Sequence, residues 1–354
     1  MNYRFFFSYL ALIIANVRFF LGDILKYDTL WLTYLLTIVL LLSIDFQRLN
    51  WRYYAIMFCF LLLSVVSANP LLLPLILLSI LAFSCKDLRI RSIARLQFWL
   101  QLFFLLYMAY GVALGEIPMR VEQYAKATTI DLGFGNSNSF SLFVFSLLSC
   151  LYLGFRGKYT PILLIAFSFF SIITYQFAFS RTVFGGEVLF LLIYLFQRIK
   201  GVHTFSKIKY LFSLFPLIFV FLVLFLIFNV VKYEDLNTML TGRLLFWFEH
   251  LSIFMESNVW LGHDFISIND KPLDCSYLAL LVTLGVLGYA MYSYFIYKAF
   301  RKRFAFLCYY MPLLISIFVC GFSENILLSY SSVNILFVIL LSKAAFSRKF
   351  TYQE

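Results

Sequence analysis

Twelve apolar stretches of about 15 to 22 residues recur along the whole chain, each long enough or nearly long enough to cross a hydrocarbon core as a helix. They lie at 5–21, 29–44, 53–67, 70–84, 96–115, 138–154, 160–179, 182–197, 210–231, 275–297, 304–322 and 326–342, and no soluble domain fits between them. Backbone amides and carbonyls in lipid must be satisfied within the protein, which a helix does along its own length. Runs this long and unbroken predict helices. The expectation is an all-α polytopic membrane protein, a single integral membrane domain over residues 1–354. Composition agrees: 63% of the residues are hydrophobic, 13% are charged, and the mean hydropathy is +0.91. The first stretch, "MNYRFFFSYLALIIANVRFFLG", has no small-x-small cleavage site behind its apolar run and reads as the first span.

A net charge of +11 raises the possibility of a nucleic-acid partner, which sorting the basic residues by loop removes. With twelve spans and both termini inside, 20 of the 28 Lys and Arg residues fall on one side, among them Arg89, Arg91, Arg95, Arg301, Lys302 and Arg303. Short loops rich in Lys and Arg stay cytoplasmic, so that side faces in. The opposite loops are net acidic. The six cysteines form no CxxC pair and the three histidines are scattered, so no metal site is expected.

Two outer segments exceed the usual loop length: about 22 residues between the fifth and sixth stretches and about 40 between the ninth and tenth. In the longer one, residues 232–274, the span from Thr241 to Glu256 predicts an amphipathic helix at the membrane interface. Leu244, Leu245, Phe248, Leu251, Ile253 and Phe254 would form its stripe, and Phe246, Trp247 and Trp260 would sit at headgroup depth.

Several polar residues on this face admit two roles. Arg181, in "FSRTVFGGE", is either a snorkelling anchor or a guanidinium fork for phosphate. Arg243 either pairs with Glu249 or headgroups, or binds an anion. Asp274 is either the N-cap of the tenth span or a general base, and Glu324 shares that ambiguity. His263 is either a plain loop residue or part of a site, and Asn136 and Asn138 are either turn residues or ligands. Glu187, about one and a half turns inside a span, marks a polar interior.

Taken in order, these pieces resemble the Wzy-type O-antigen and capsule repeat-unit polymerases of the O-antigen polymerase and ligase superfamily. The pieces are "GFGNSNSF", "FSRT", "GRLLFWFEHLSIF", "WLGHDF", "PLDCSYLALLVTLGVLG" and "GFSENILLSYSSVNILF". The chain departs from the family at Cys275, where Asn is common, at His263, which replaces the second glycine of a turn, and at Asp274, where the ligase branch has a histidine.

The resemblance implies a GT-C-like membrane enzyme of the bacterial cytoplasmic membrane, with no cofactor. Its substrate would be an undecaprenyl-diphosphate-linked oligosaccharide among membrane lipids, and a flippase and a chain-length regulator would act nearby. Arg181 and Arg243 are expected to hold the diphosphate, Asp274 to act as base with Glu324 the second candidate, and Asn136, Asn138, His263 and Glu187 to be further substrate-binding positions.

Overall fold

A computed structural model describes residues 3–44, 69, 71–124, 127–157, 159–229, 237–238, 240, 242–265 and 273–347. The expected third span, 53–67, lies outside them, as do residues 232–236, 239, 241 and 266–272 of the long outer segment, including Thr241 at the start of its expected helix. The described elements are α1 (Tyr3–Arg18), α2 (Leu30–Ser43), α3 (Leu72–Ser84), α4 (Ile90–Ala113), α5 (Ser137–Phe155), α6 (Thr160–Ala178), α7 (Arg181–Lys200), α8 (Lys209–Ser213), α9 (Phe215–Phe228), α10 (Arg243–Glu256), α11 (Ser276–Cys308), α12 (Met311–Cys320) and α13 (Ser332–Phe346). A π-helical turn, Phe19–Ile24, extends α1, and a 3₁₀ segment, Val202–Ile208, leads into α8.

Among the described residues, six helices are long and apolar enough to cross a membrane: Tyr3–Ile24, α4, α5, α6, α7 and α11. A seventh passes if the pair Thr204–Ser213 and Phe215–Phe228 is taken together across its 56° bend, while α2, α3, α12 and α13 are shorter apolar helices. The protein is a multi-pass membrane protein. The bend falls at Leu214, just before Pro216 in the first turn of α9, and proline cannot donate the backbone bond that would continue α8 into α9.

Which helices face lipid follows from where apolar side chains stay exposed. Leu30, Tyr34, Ile38 and Leu41 form a bare row along α2, as do Ile162, Ile165, Phe169 and Ile172 on α6 and Phe221, Phe225 and Phe228 on α9. In contrast, α12 and α13 are apolar and buried on nearly all sides, as is α11 from Ser276 to Gly285. A helix without a polar face belongs in a core or a bilayer, and this chain uses both solutions.

Three departures from the apolar pattern concern backbone. The tenth stretch is broken inside α11, where Gly285 has φ 64° and ψ 177°. The twelfth starts as a helix only at Ser332, because residues 321–331 run irregularly through the interior. Side chains replace the missing helical bonds there: Asn334 Nδ2 donates to the carbonyls of Leu327 and Ser329, and Ser329 Oγ donates to that of Ile326. Non-helical backbone at membrane depth is tolerated only when buried in protein or lining a cavity. The third departure is a two-stranded antiparallel hairpin, β1 (Val121–Tyr124) and β2 (Ala127–Ile130), in the shorter outer segment, with Val121 opposite Ile130.

The expected helix in residues 232–274 is present as α10, but its orientation differs from the expected one. Leu244, Trp247, His250, Leu251 and Phe254 face the protein, whereas Leu245, Phe248 and Trp260 are exposed. Trp247 is not a headgroup-depth residue. It is fully buried, edge-on to Phe322 at 6.0 Å. Trp247→Ala should therefore destabilise the protein by about 3–5 kcal/mol, seen as a lower thermal midpoint in detergent; an unchanged midpoint would place the ring at the surface after all.

Candidate functional site

Three side chains from separate segments meet: one at the start of α10, one just before α11 and one in the turn after α12. Arg243 opens α10 behind Gly242, whose φ of 79° makes the reversal into the helix. Its Nε lies 3.4 Å from Asp274 Oδ2 and its Nη1 3.5 Å from Glu324 Oε1, and Nη1 also donates to the Ser323 carbonyl. Nη2 has no bonding partner among the described residues.

Asp274 is not the N-cap. That position belongs to Cys275, buried and making no side-chain cap bond, while the Asp274 carboxylate turns to Arg243. The pairing expected for Arg243 as an alternative, with Glu249, is replaced by these two carboxylates.

Ser276 sets their spacing. Its Oγ donates to the Glu324 carbonyl at 2.7 Å and accepts from Leu327 N at 3.1 Å, and its backbone N–H donates to the Gly321 carbonyl at 2.9 Å. The next residue, Tyr277, donates its hydroxyl to the Phe318 carbonyl at 2.6 Å. The entry of α11 and the turn carrying Glu324 are therefore one unit, into which α10 inserts its arginine.

Burial raises the Asp274 carboxyl above its usual range, with Arg243 pulling it down. Burial pushes Glu324 further, to about 7; Arg243 opposes this, and the like charge of Asp274 adds to it. The groups facing Glu324 are Arg243, Asp274 and the Cys320 thiol. Two carboxyls sharing one arginine titrate as a pair. Asp274 is the accessible member, its side chain 32% exposed against 7% for Glu324.

Beside this cluster an open, mostly apolar cleft of about 540 Å³ runs between α7, α9 and the end of α12. Leu189, Leu192, Phe219, Leu222 and Phe322 line it, and Arg181 and Ser323 supply its polar edge. Ser323 joins cleft to cluster: its carbonyl accepts from Arg243, and its hydroxyl shares a 2.7 Å hydrogen bond with Thr182. Arg181 and Arg243 are thus brought to the same edge.

The remaining expected positions lie elsewhere. Asn136 caps α5, its side chain accepting from Asn138 N at 2.7 Å, and neither residue bonds to the cluster. His263 sits on the turn after α10 with Nδ1 3.1 Å from Ser257 Oγ and its ring stacked near Phe254; burial lowers its basicity. Glu187, 1% exposed on α7, has an Oε1 without a partner among the described residues and lies near Cys320. It is an interior group behind the cluster.

Sequence inspection did not single out Ser276, Thr182 or Ser323. Each lies inside one of the quoted motifs, and a hydroxyl one or two residues from a charged residue was the available signal. No protein-family model matches the chain, and no curated protein and no solved structure does either.

Proposed function

We propose that the chain is a Wzy-type polymerase. It would join undecaprenyl-diphosphate-linked oligosaccharide repeat units at the outer face of a bacterial cytoplasmic membrane, as a metal-independent, inverting glycosyltransferase. The chain crosses the membrane twelve times with both termini inside, several passes being short or broken helices. The observation that carries this is the meeting of Arg243, Asp274 and Glu324 at the edge of an apolar cleft that also holds Arg181.

Glycosyl transfer between two lipid-linked glycans requires an acceptor hydroxyl to lose a proton while a diphosphate departs with its charge. Asp274, the accessible carboxylate, takes the proton. The acceptor oxygen bonds to the anomeric carbon as the bond from that carbon to the diphosphate oxygen breaks. The departing charge is met by Arg181 and by the Nη2 donors of Arg243, an electrostatic task that positioned cations perform. One displacement inverts the anomeric centre. An apolar cleft next to the two arginines suits the prenyl part of the donor.

Glu324 tunes the pair. When it is protonated, the charge of Arg243 falls undivided on Asp274 and weakens it as a base. Activity is therefore lost as pH falls through about 7, the value of the Glu324 carboxyl. Glu324→Gln should slow the reaction and move this acid limb; a limb near pH 7 that survives the substitution would assign it to another group.

A ligase of the same superfamily is the second possibility, and the carboxylate Asp274 in place of a histidine base disfavours it. The test is reconstitution of the purified protein in liposomes with lipid-linked repeat units and a chelator. A ladder of lengthened lipid-linked glycans supports the polymerase; unchanged single units with all components present would refute it.

A further inference from the structure

The break in α11 is closed by a different part of the chain. In a continuous helix the amides of Val286 and Leu287 would bond to the carbonyls of Val282 and Thr283. Here all four groups find other partners. Val286 N donates to the Val259 carbonyl at 2.9 Å and Leu287 N to the Trp260 carbonyl at 3.4 Å, while the Val282 carbonyl accepts from His263 N at 2.9 Å. The Thr283 carbonyl accepts from Asn69 Nδ2, also at 2.9 Å. The turn that follows α10 is thus inserted, backbone to backbone, into the gap in α11.

Two glycines make the insertion possible. Gly262 and Gly285 both have positive φ, 74° and 64°. A Cβ on Gly262 would lie closer than 3.0 Å to the carbonyls of Val282 and Thr283, and one on Gly285 closer than 3.0 Å to the carbonyl of Trp260. With ψ near 177°, Gly285 occupies a region open essentially to glycine alone. This pairing of two glycines from remote segments leaves no room for any other residue at either position.

We infer that residues 259–263 and the Gly285 break form a clasp that holds the Arg243 helix against the helix entered at Asp274, making Gly262, Gly285 and Asn69 positioning residues for the ion cluster. Arg243 and Asp274 lie about thirty residues apart in sequence, so chain continuity alone does not fix one against the other. The clasp is the short connection: it fixes the far end of α10 to α11 two to three turns below Asp274, and the Arg243–Asp274–Glu324 contacts close the near end. With both ends fixed, α10 cannot rotate its arginine away. This inference rests on the proposed reaction only for its effect on catalysis.

The experiment uses the full chain in detergent, with Gly262→Ala, Gly285→Ala and the milder Asn69→Ala. Hydrogen exchange of peptides covering 259–263 and 282–290 reads the clasp directly. The ionisation of Glu324, followed by infrared difference against Glu324→Gln, reads how closely Arg243 approaches, because an opposite charge at contact lowers a carboxyl by roughly 1–3 units. Expected are protected amides in the parent, lost protection in both glycine variants and an upward shift of about 1 unit in Glu324, with a smaller shift in the same direction for Asn69→Ala. Neither readout requires turnover. Unchanged protection in both glycine variants would overturn the clasp, and so would lost protection with Glu324 unmoved. If both change as expected while the parent makes no polymer, the clasp stands and the polymerase proposal falls. If the glycine variants do not fold, Asn69→Ala decides by the direction of its shift.

Discussion

Replacing Arg243 with alanine is expected to lower polymer formation by about 10²–10³-fold, the usual loss when one positioned donor to developing charge is removed, with protein level and membrane insertion unchanged. The expectation follows from the double duty of this side chain. It contacts both carboxylates, donates to the carbonyl of Ser323, a residue that lines the cleft, and keeps an Nη2 with no bonding partner among the described residues. Without it, Asp274 and Glu324 face each other with no counter-charge, so both should become harder to ionise and the residual activity should move to higher pH. Arg243→Lys keeps the charge but loses the planar fork, and recovers only part of the rate. Wild-type polymer from Arg243→Ala would remove this residue from the site.

Asp274→Asn should have an effect at least as large, about 10²–10⁴-fold, as expected for loss of a general base. Asparagine preserves size and caps helices about as well as aspartate, and Cys275 holds the cap position in any case. A folding defect is therefore not expected from this substitution, and the loss should fall on turnover rather than on donor affinity. A large rise in KM with turnover intact would make Asp274 a binding residue, and the proton would then have to go to Glu324.

Much of the bundle could be read directly from hydropathy. The stretches 138–154, 160–179 and 182–197 correspond closely to α5, α6 and α7, because each is bounded by Asn, Thr-Pro or Ser-Arg and contains no break. What hydropathy misses is backbone geometry inside apolar sequence. The run 275–297 is uninterrupted in composition, yet Gly285 breaks it, because its partner turn lies more than twenty residues earlier. The run 326–342 yields a helix only from Ser332, since Asn and Ser side chains hold the preceding segment irregular by bonding its carbonyls. The hairpin at residues 121–130 is polar and short, and gave no periodic signal.

The site was legible residue by residue but not as an assembly. Arg243, Asp274 and Glu324 each stood out as charges at the mouths of apolar segments, and each had an equally local explanation. Only the packing of α10 against α11 and the 321–331 segment pairs them. Trp247 shows the opposite failure: the stripe of apolar residues correctly implied a helix, but aromatic composition alone could not tell the face packed on protein from the face left bare.

Deleting the gene in its own host and sizing the surface and lipid-linked glycans tests the central claim most directly. A polymerase predicts single repeat units in place of a ladder, restored by the parent gene and not by Arg243→Ala or Asp274→Asn. Full-length polymer left on its lipid carrier, or repeat units retained on the cytoplasmic leaflet, would contradict it.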